Sequence, residues 1–229
     1  MRDFDGVNDN INYGSNAGID AFTSKTYSFW LRWDGSDVID LVAVKSSDTN
    51  GQGINTSTTL YGGPGSQLIY FHTWTTNDAV WKGTTQLNDA VWRHIAISRA
   101  NGDTDVPSMY VNGVAETVTL VQAGTGTQNS DAANSLMNGE SDVGTNDMDG
   151  AMGFFAYDDA IWTDAEVNRA RWWGRPFGGI QVYHPLITDK LTNEGAATAN
   201  GTATGTTNTN AAIPVVRPGT AMMGMGIGW

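Results

Sequence analysis

Residues 90–114 read AVWRHIAISRANGDTDVPSMYVNGV. Trp92, His94, Ala96 and Ser98 alternate with Arg93, Ile95, Ile97 and Arg99, the period of two that a strand imposes on its side chains. A polar stretch from Asn101 to Pro107 breaks the run, and Met109 to Val111 resumes it. Asn112-Gly113 follows, a pair that accepts φ > 0 at both central positions of a tight hairpin turn. The segment therefore predicts strand, loop, strand, tight turn and strand, the middle of an antiparallel sheet.

Working outward, other stretches carry the same grammar. Thr26 to Trp33 (TYSFWLRW) puts Tyr27, Phe29, Leu31 and Trp33 on one face and Ser28, Trp30 and Arg32 on the other. Short strands are expected at Phe4-Asp5-Gly6, 10–13, 38–45, 54–60, 67–74, 79–85, 135–137, near Val143, 151–157 and 180–183. Thr163-Asp164-Ala165-Glu166 matches a capping box, with Thr163 as N-cap and Glu166 at the third helical position, so a short helix is expected near residues 163–173. Trp172 and Trp173 are expected to anchor that helix. Residues 192–212 are rich in Thr, Asn, Ala and Gly, and both a strand at 201–207 and an extended loop fit them. Many short strands with turn signals predict an all-β, two-sheet antiparallel sandwich.

Composition narrows the function classes. The chain has 229 residues with nine Trp, seven Tyr and seven Phe, enough for one large core. Its formal net charge is −12, and twenty of the 24 acidic residues are Asp. Asp favours turns and Glu favours helices, which agrees with a loop-rich β protein. With only 12 Lys and Arg, neither nucleic acid nor an anionic membrane is an expected partner. There is no cysteine, so burial alone must stabilise the fold. The N-terminal residues lack the apolar core of a signal peptide, and no apolar run has membrane-spanning length. These features predict synthesis in the cytoplasm of the producing cell.

Four motifs occur in order: FDGVNDNINYG (4–14), YSFWLRWDG (27–35), WRHIAISR (92–99) with MYVNG (109–113), and GAMGFFAYDDAIWTDAEVNRARW (150–172). Together they resemble a laminin-G-like domain of the concanavalin A-like lectin/glucanase superfamily, over roughly residues 3 to 173. The resemblance implies a jelly roll of about a dozen strands. The segment from His184-Pro185-Leu186 to Gly205 is similar to the extension that follows this domain in many phage-encoded members. We accordingly expect a jelly-roll domain over 1–184. An extension and apolar tail over 185–229 is expected to pack on the domain or a neighbouring subunit.

Sequence chemistry points away from catalysis. A retaining glucanase needs two carboxylates about 5–5.5 Å apart, placed by alternate residues of one strand. Here the glutamates are Glu116, Glu140, Glu166 and Glu194, and Glu140-Ser141-Asp142 has no second Glu after it. With His72, His94 and His184 alone, neither a nucleophile pair nor a zinc site is expected, and His94 reads as core. Asp142, Asn146, Asp147 and Asp149 offer hard oxygen ligands of the kind Ca²⁺ takes, although solvated turn residues explain them as simply. Trp74 and Trp81 flank a polar turn containing Asn77 and Asp78, a lectin-like arrangement if the rings are exposed and ordinary core if they are not. The tail residues Met222, Met223, Met225, Ile227 and Trp229 suit a subunit contact in a homo-oligomer. Three functions are weighed: a non-enzymatic structural protein of a phage virion, a carbohydrate-binding or adhesin module recognising a cell-surface glycan, and, disfavoured, a glycoside hydrolase.

Overall fold

The computed structural model describes residues 1–20, 23–34, 39–46, 51–57, 67–87, 89–100, 105–140, 146–173, 180–186, 194–197 and 200–208. The expected strand near Val143 and the tail residues Met222, Met223, Met225, Ile227 and Trp229 lie outside these. Among the described residues the strands are β1 (Arg2–Asp5), β2 (Asn10–Gly14), β3 (Ser24–Trp33), β4 (Ile39–Ser46), β5 (Gly51–Ser57), β6 (Gln67–His72), β7 (Ala79–Gln86) and β8 (Arg93–Ala100). They continue with β9 (Ser108–Val111), β10 (Val114–Ala115), β11 (Thr119–Gln122), β12 (Leu136–Asn138), β13 (Asp149–Asp158), β14 (Val182–His184), β15 (Thr202–Thr204) and β16 (Thr207–Asn208). One helix, α1 (Asp164–Trp173), lies between β13 and β14.

Two antiparallel sheets result. The first runs β10-β9-β8-β3-β13-β1-β16, with β14 also on β13; the second runs β11-β7-β6-β5-β4-β12-β2-β15. The Asn112-Gly113 turn has φ of 54° and 76°, as a type I′ hairpin requires. The Thr/Asn-rich segment takes the strand alternative, with β15 joining β2 in the second sheet and β16 joining β1 in the first. No pattern in the sequence marks β11. It pairs with β7 at the sheet edge, and its side chains are mostly exposed, so it lacks the alternating burial that marks a strand in sequence.

The core lies between the sheets and includes Tyr27, Phe29, Leu31, Trp33, Ile54, Tyr70, Ile95, Ile97, Phe155 and Tyr157. The other face of the first sheet is covered in part by α1. Trp162, Val167 and Ala170 pack there on Ala96, Tyr110, Ala156 and Tyr183. That is why β3 is buried on both faces over most of its length. The capping box forms as expected: the Thr163 N–H donates to Glu166 Oε2 at 2.7 Å, and the Glu166 N–H donates to Thr163 Oγ1 at 3.4 Å. The helix is anchored mainly from its N-terminal side, where Trp162 Nε1 donates to Asp158 at 2.7 Å and Tyr110 Oη donates to Asp164 at 2.7 Å. Trp173, expected as an anchor, is instead half exposed.

Candidate functional site

The expected lectin-like turn folds differently from a sugar platform. Trp74 is 9% exposed and Trp81 is 3% exposed, and both belong to the inter-sheet core. The cause is a roof supplied by a distant part of the chain. Residues 73–77 bridge to residues 125–129 through Trp74–Gln128 and Asn77–Thr125 pairs. Gly124 backs directly onto Trp74, and a Cβ there would meet the indole at 2.4 Å. The polar members are also engaged in the turn. Asp78 accepts the Trp74 N–H at 3.0 Å, and Asn77 Nδ2 donates to Thr125 Oγ1 at 3.0 Å. The four residues are close in space, but their rings face inward, which corrects the exposed-platform reading.

Beneath that roof lies a buried polar network, part of it foreshadowed by the strand period that puts Arg99 on the same face as Ile95 and Ile97. Lys45 Nζ donates to the carbonyls of Asp131 and Asn134 at 2.8 and 2.6 Å and pairs with Asp20 at 2.8 Å. Lys25 pairs with Asp131 Oδ2 at 2.9 Å, and Gln52 Nε2 donates to the same oxygen at 3.0 Å. Tyr70 Oη donates to Gln52 Oε1. Arg99 stacks over Trp81 at 4.7 Å and donates to His72 Nδ1 at 2.9 Å. His72 Nε2 faces the Asn129 carbonyl at 3.2 Å, so the imidazole is the neutral Nε2–H tautomer. Burial lowers its pKa to about 4, which agrees. Burial also lowers the Lys25 pKa, while Asp131 opposes the shift. Together these links clamp residues 129–134 onto both sheets.

Of the expected cation ligands, Asp142 lies outside the described residues. Asn146 and Asp147 remain on a loop, with Asn146 at φ 60°, whereas Asp149 opens strand β13 opposite Asp5. Burial raises the carboxyls of Asp9 and Glu140, and the charge of Asp147 adds to both shifts. Even so, among the described residues no three His, Asp or Glu side chains come together as a metal ion would need. Two of the glutamates make contacts that tie strands and loops together. Glu116 accepts four hydrogen bonds from the backbone and hydroxyls of Thr84 and Thr85. Burial pushes its carboxyl up, but these bonds outweigh it and hold the pKa below the usual value. Glu140 accepts from Asn10 Nδ2 at 2.6 Å.

The structure exposes a different aromatic group. α1 covers the outer face of the first sheet only part of the way along its strands. Beyond the covered residues, on the same face, Trp92 remains partly exposed. Arg32 lies over its ring at 5.9 Å and reaches Asp34 at 3.5 Å and Asp3 at 3.7 Å. Arg93, which the strand period turns to the opposite face, pairs with Asp89 through two bonds, with Nη2 to Oδ2 at 2.5 Å. Trp92 is thus a partly exposed ring with one guanidinium over it and two carboxylates on that guanidinium. In sequence Trp92 was visible only as one more member of an alternating strand.

The family model for the concanavalin A-like lectin/glucanases superfamily, Laminin_G_3, matches residues 5–168. No curated protein sequence matches the chain. Among solved structures, the chain is similar to a Bacteroides ovatus protein inferred to bind carbohydrate, at 16% identity and a TM-score of 0.66. The match covers 94% of this chain and 62% of that one, so the chain spans less than two thirds of that relative. It is also similar to a heptameric SAP-like pentraxin from Limulus polyphemus, at 10% identity and a TM-score of 0.54, over 74% of this chain and 80% of that one. At these identities the likeness is one of fold.

Proposed function

Because the chain belongs to the laminin G-like family of the concanavalin A-like lectin/glucanases superfamily, we propose that it is a non-catalytic carbohydrate-recognition module whose glycan lies against Trp92. The observation that carries this reading is the partly exposed Trp92 ring beside Arg32, which pairs with Asp34 and Asp3. A ring face meets the C–H groups of a pyranose, while neighbouring charged side chains bond its hydroxyls. The Bacteroides ovatus relative, inferred to bind carbohydrate, is in keeping with this role. The test is a glycan array with the wild type and Trp92→Ala. The wild type is expected to bind a defined glycan class, and the variant to lose at least about tenfold in affinity, the equivalent of about 1.4 kcal/mol. No binding by the wild type, or undiminished binding by a folded variant, overturns the reading.

A second reading, a structural subunit of a phage virion, is supported by exposed apolar side chains on the two strands that, among the described residues, end the sheets. Val114 on β10 is 67% exposed and Leu120 on β11 is 53% exposed, each on an edge strand. Apolar side chains on an open edge invite pairing with another chain. If this surface assembles copies of the protein, light scattering will show an oligomer, and Val114→Lys with Leu120→Lys will reduce it to a monomer. A monomeric wild type removes this support.

A further inference from the structure

We propose that a small inorganic anion of halide size binds beneath the C-terminal end of α1, held by Trp30 Nε1, His94 Nδ1 and Arg171 Nε. Trp30 and His94 face one another across β3 and β8, and their rings meet edge to face with centroids 5.7 Å apart. Both are on the outer face of the first sheet and are buried. Arg171 comes from the last turn of α1, and its guanidinium lies against the Asn112-Gly113 turn, where a Cβ on Gly113 would meet Nη1 at 3.3 Å. The same turn reaches His94, because Asn112 Oδ1 accepts the His94 N–H at 3.0 Å. The Arg171 charge also acts on His94, so helix end, hairpin turn and strand pair are neighbours.

Three nitrogens in this region are buried without a hydrogen-bond partner: Trp30 Nε1, His94 Nδ1 and Arg171 Nε. The indole and guanidinium nitrogens can only donate. His94 Nε2 lies 3.0 Å from Ser28 Oγ, and when that hydroxyl donates, the imidazole proton resides on Nδ1. The third nitrogen is then a donor as well. Buried donors without acceptors point to a bound species that accepts. A water molecule has two lone pairs and leaves one donor unmet, whereas a spherical anion accepts from all three. The Arg171 charge supplies its counterion. Burial, with that charge adding to the effect, also keeps His94 neutral by lowering its pKa to about 3, so the imidazole can serve as a neutral donor.

The test uses bromide. Crystals of the protein soaked in sodium bromide are expected to show an anomalous peak within hydrogen-bonding reach of the three nitrogens. In solution, thermal unfolding in sodium bromide should occur at a higher temperature than in sodium gluconate of equal ionic strength, with the gap widening as bromide increases. Trp30→Phe removes one donor and keeps the ring, and it is expected to fold and lose most of that gap. A water or an empty space at the site, or a bromide gap of equal size in Trp30→Phe, overturns the proposal.

Discussion

Replacing Asp131 with alanine is expected to remove about 3–5 kcal/mol of folding free energy, the range for breaking one side of a buried ion pair. Asp131 is the carboxylate that Lys25 meets at 2.9 Å, and Lys25 is 2% exposed. It also accepts the Gln52 amide. Without it, the Lys25 ammonium and the Gln52 amide are left buried and uncompensated. Two controls identify the cause. Combining Asp131→Ala with Lys25→Met should recover part of the loss, because the uncompensated ammonium is gone while the Gln52 amide stays unmet. The pH dependence has a fixed sign. Lys25 already has a folded-state pKa below its unfolded value, and losing Asp131 lowers it further. The unfolded chain then binds more protons between the two values, so the variant gains stability as pH rises through that interval. Urea unfolding at neutral and alkaline pH measures both effects. A loss below about 1 kcal/mol at neutral pH would show that the pair contributes no more than an exposed one.

Trp33→Ala is expected to cost about 3–5 kcal/mol, the usual penalty for emptying a buried aromatic site. Trp33 is 1% exposed and among the largest fully buried side chains. It ends β3 opposite Gly150 of β13, and the Ala90 N–H donates to its carbonyl at 3.2 Å. Strand pairing therefore holds the backbone around the lost indole, and the cavity has little freedom to collapse. Equilibrium urea unfolding should show a lower midpoint with an unchanged slope, since the surface exposed on unfolding is nearly the same. A midpoint close to wild type would mean that neighbouring side chains refill the space.

The contrast between these two sites shows what was legible in the sequence. Trp33 is legible as core, since the Thr26 to Trp33 alternation puts it with Tyr27, Phe29 and Leu31 on one face. The hairpin turn and the helix start were equally plain, because Asn112-Gly113 and the Thr163–Glu166 box are local signals that neighbouring residues satisfy by themselves. Asp131 carried no such signal. Its importance depends on Lys25, Lys45 and Gln52, which are remote in the chain and gather only when the sheets close. The choice that stays open at Trp74 and Trp81 has the same origin. A tryptophan beside a polar turn looks identical whether or not residues 124–129 later fold over it. Trp92 is the reverse case, because its partial exposure depends on how far α1 extends over the sheet. Fold class follows from near-neighbour patterns, whereas the candidate site depends on which surfaces other segments happen to cover.

The position of β1 has a consequence for how the protein reaches its native state. This strand hydrogen-bonds on one side to β13, with Arg2 opposite Met152, and on the other to β16, with Arg2 opposite Asn208. A ribosome releases Arg2 long before either partner exists, so β1 must wait unpaired until β13 emerges. The middle hairpin, β8 to β10, can close at once, but the first sheet is complete only when its last strand arrives. Pairings of such long range make folding slow, on the order of milliseconds to seconds for β topologies. During that delay the Phe4 side chain and the unpaired strand are open to other chains. Yield in recombinant expression should therefore depend more on temperature and synthesis rate than on the stability of the finished fold.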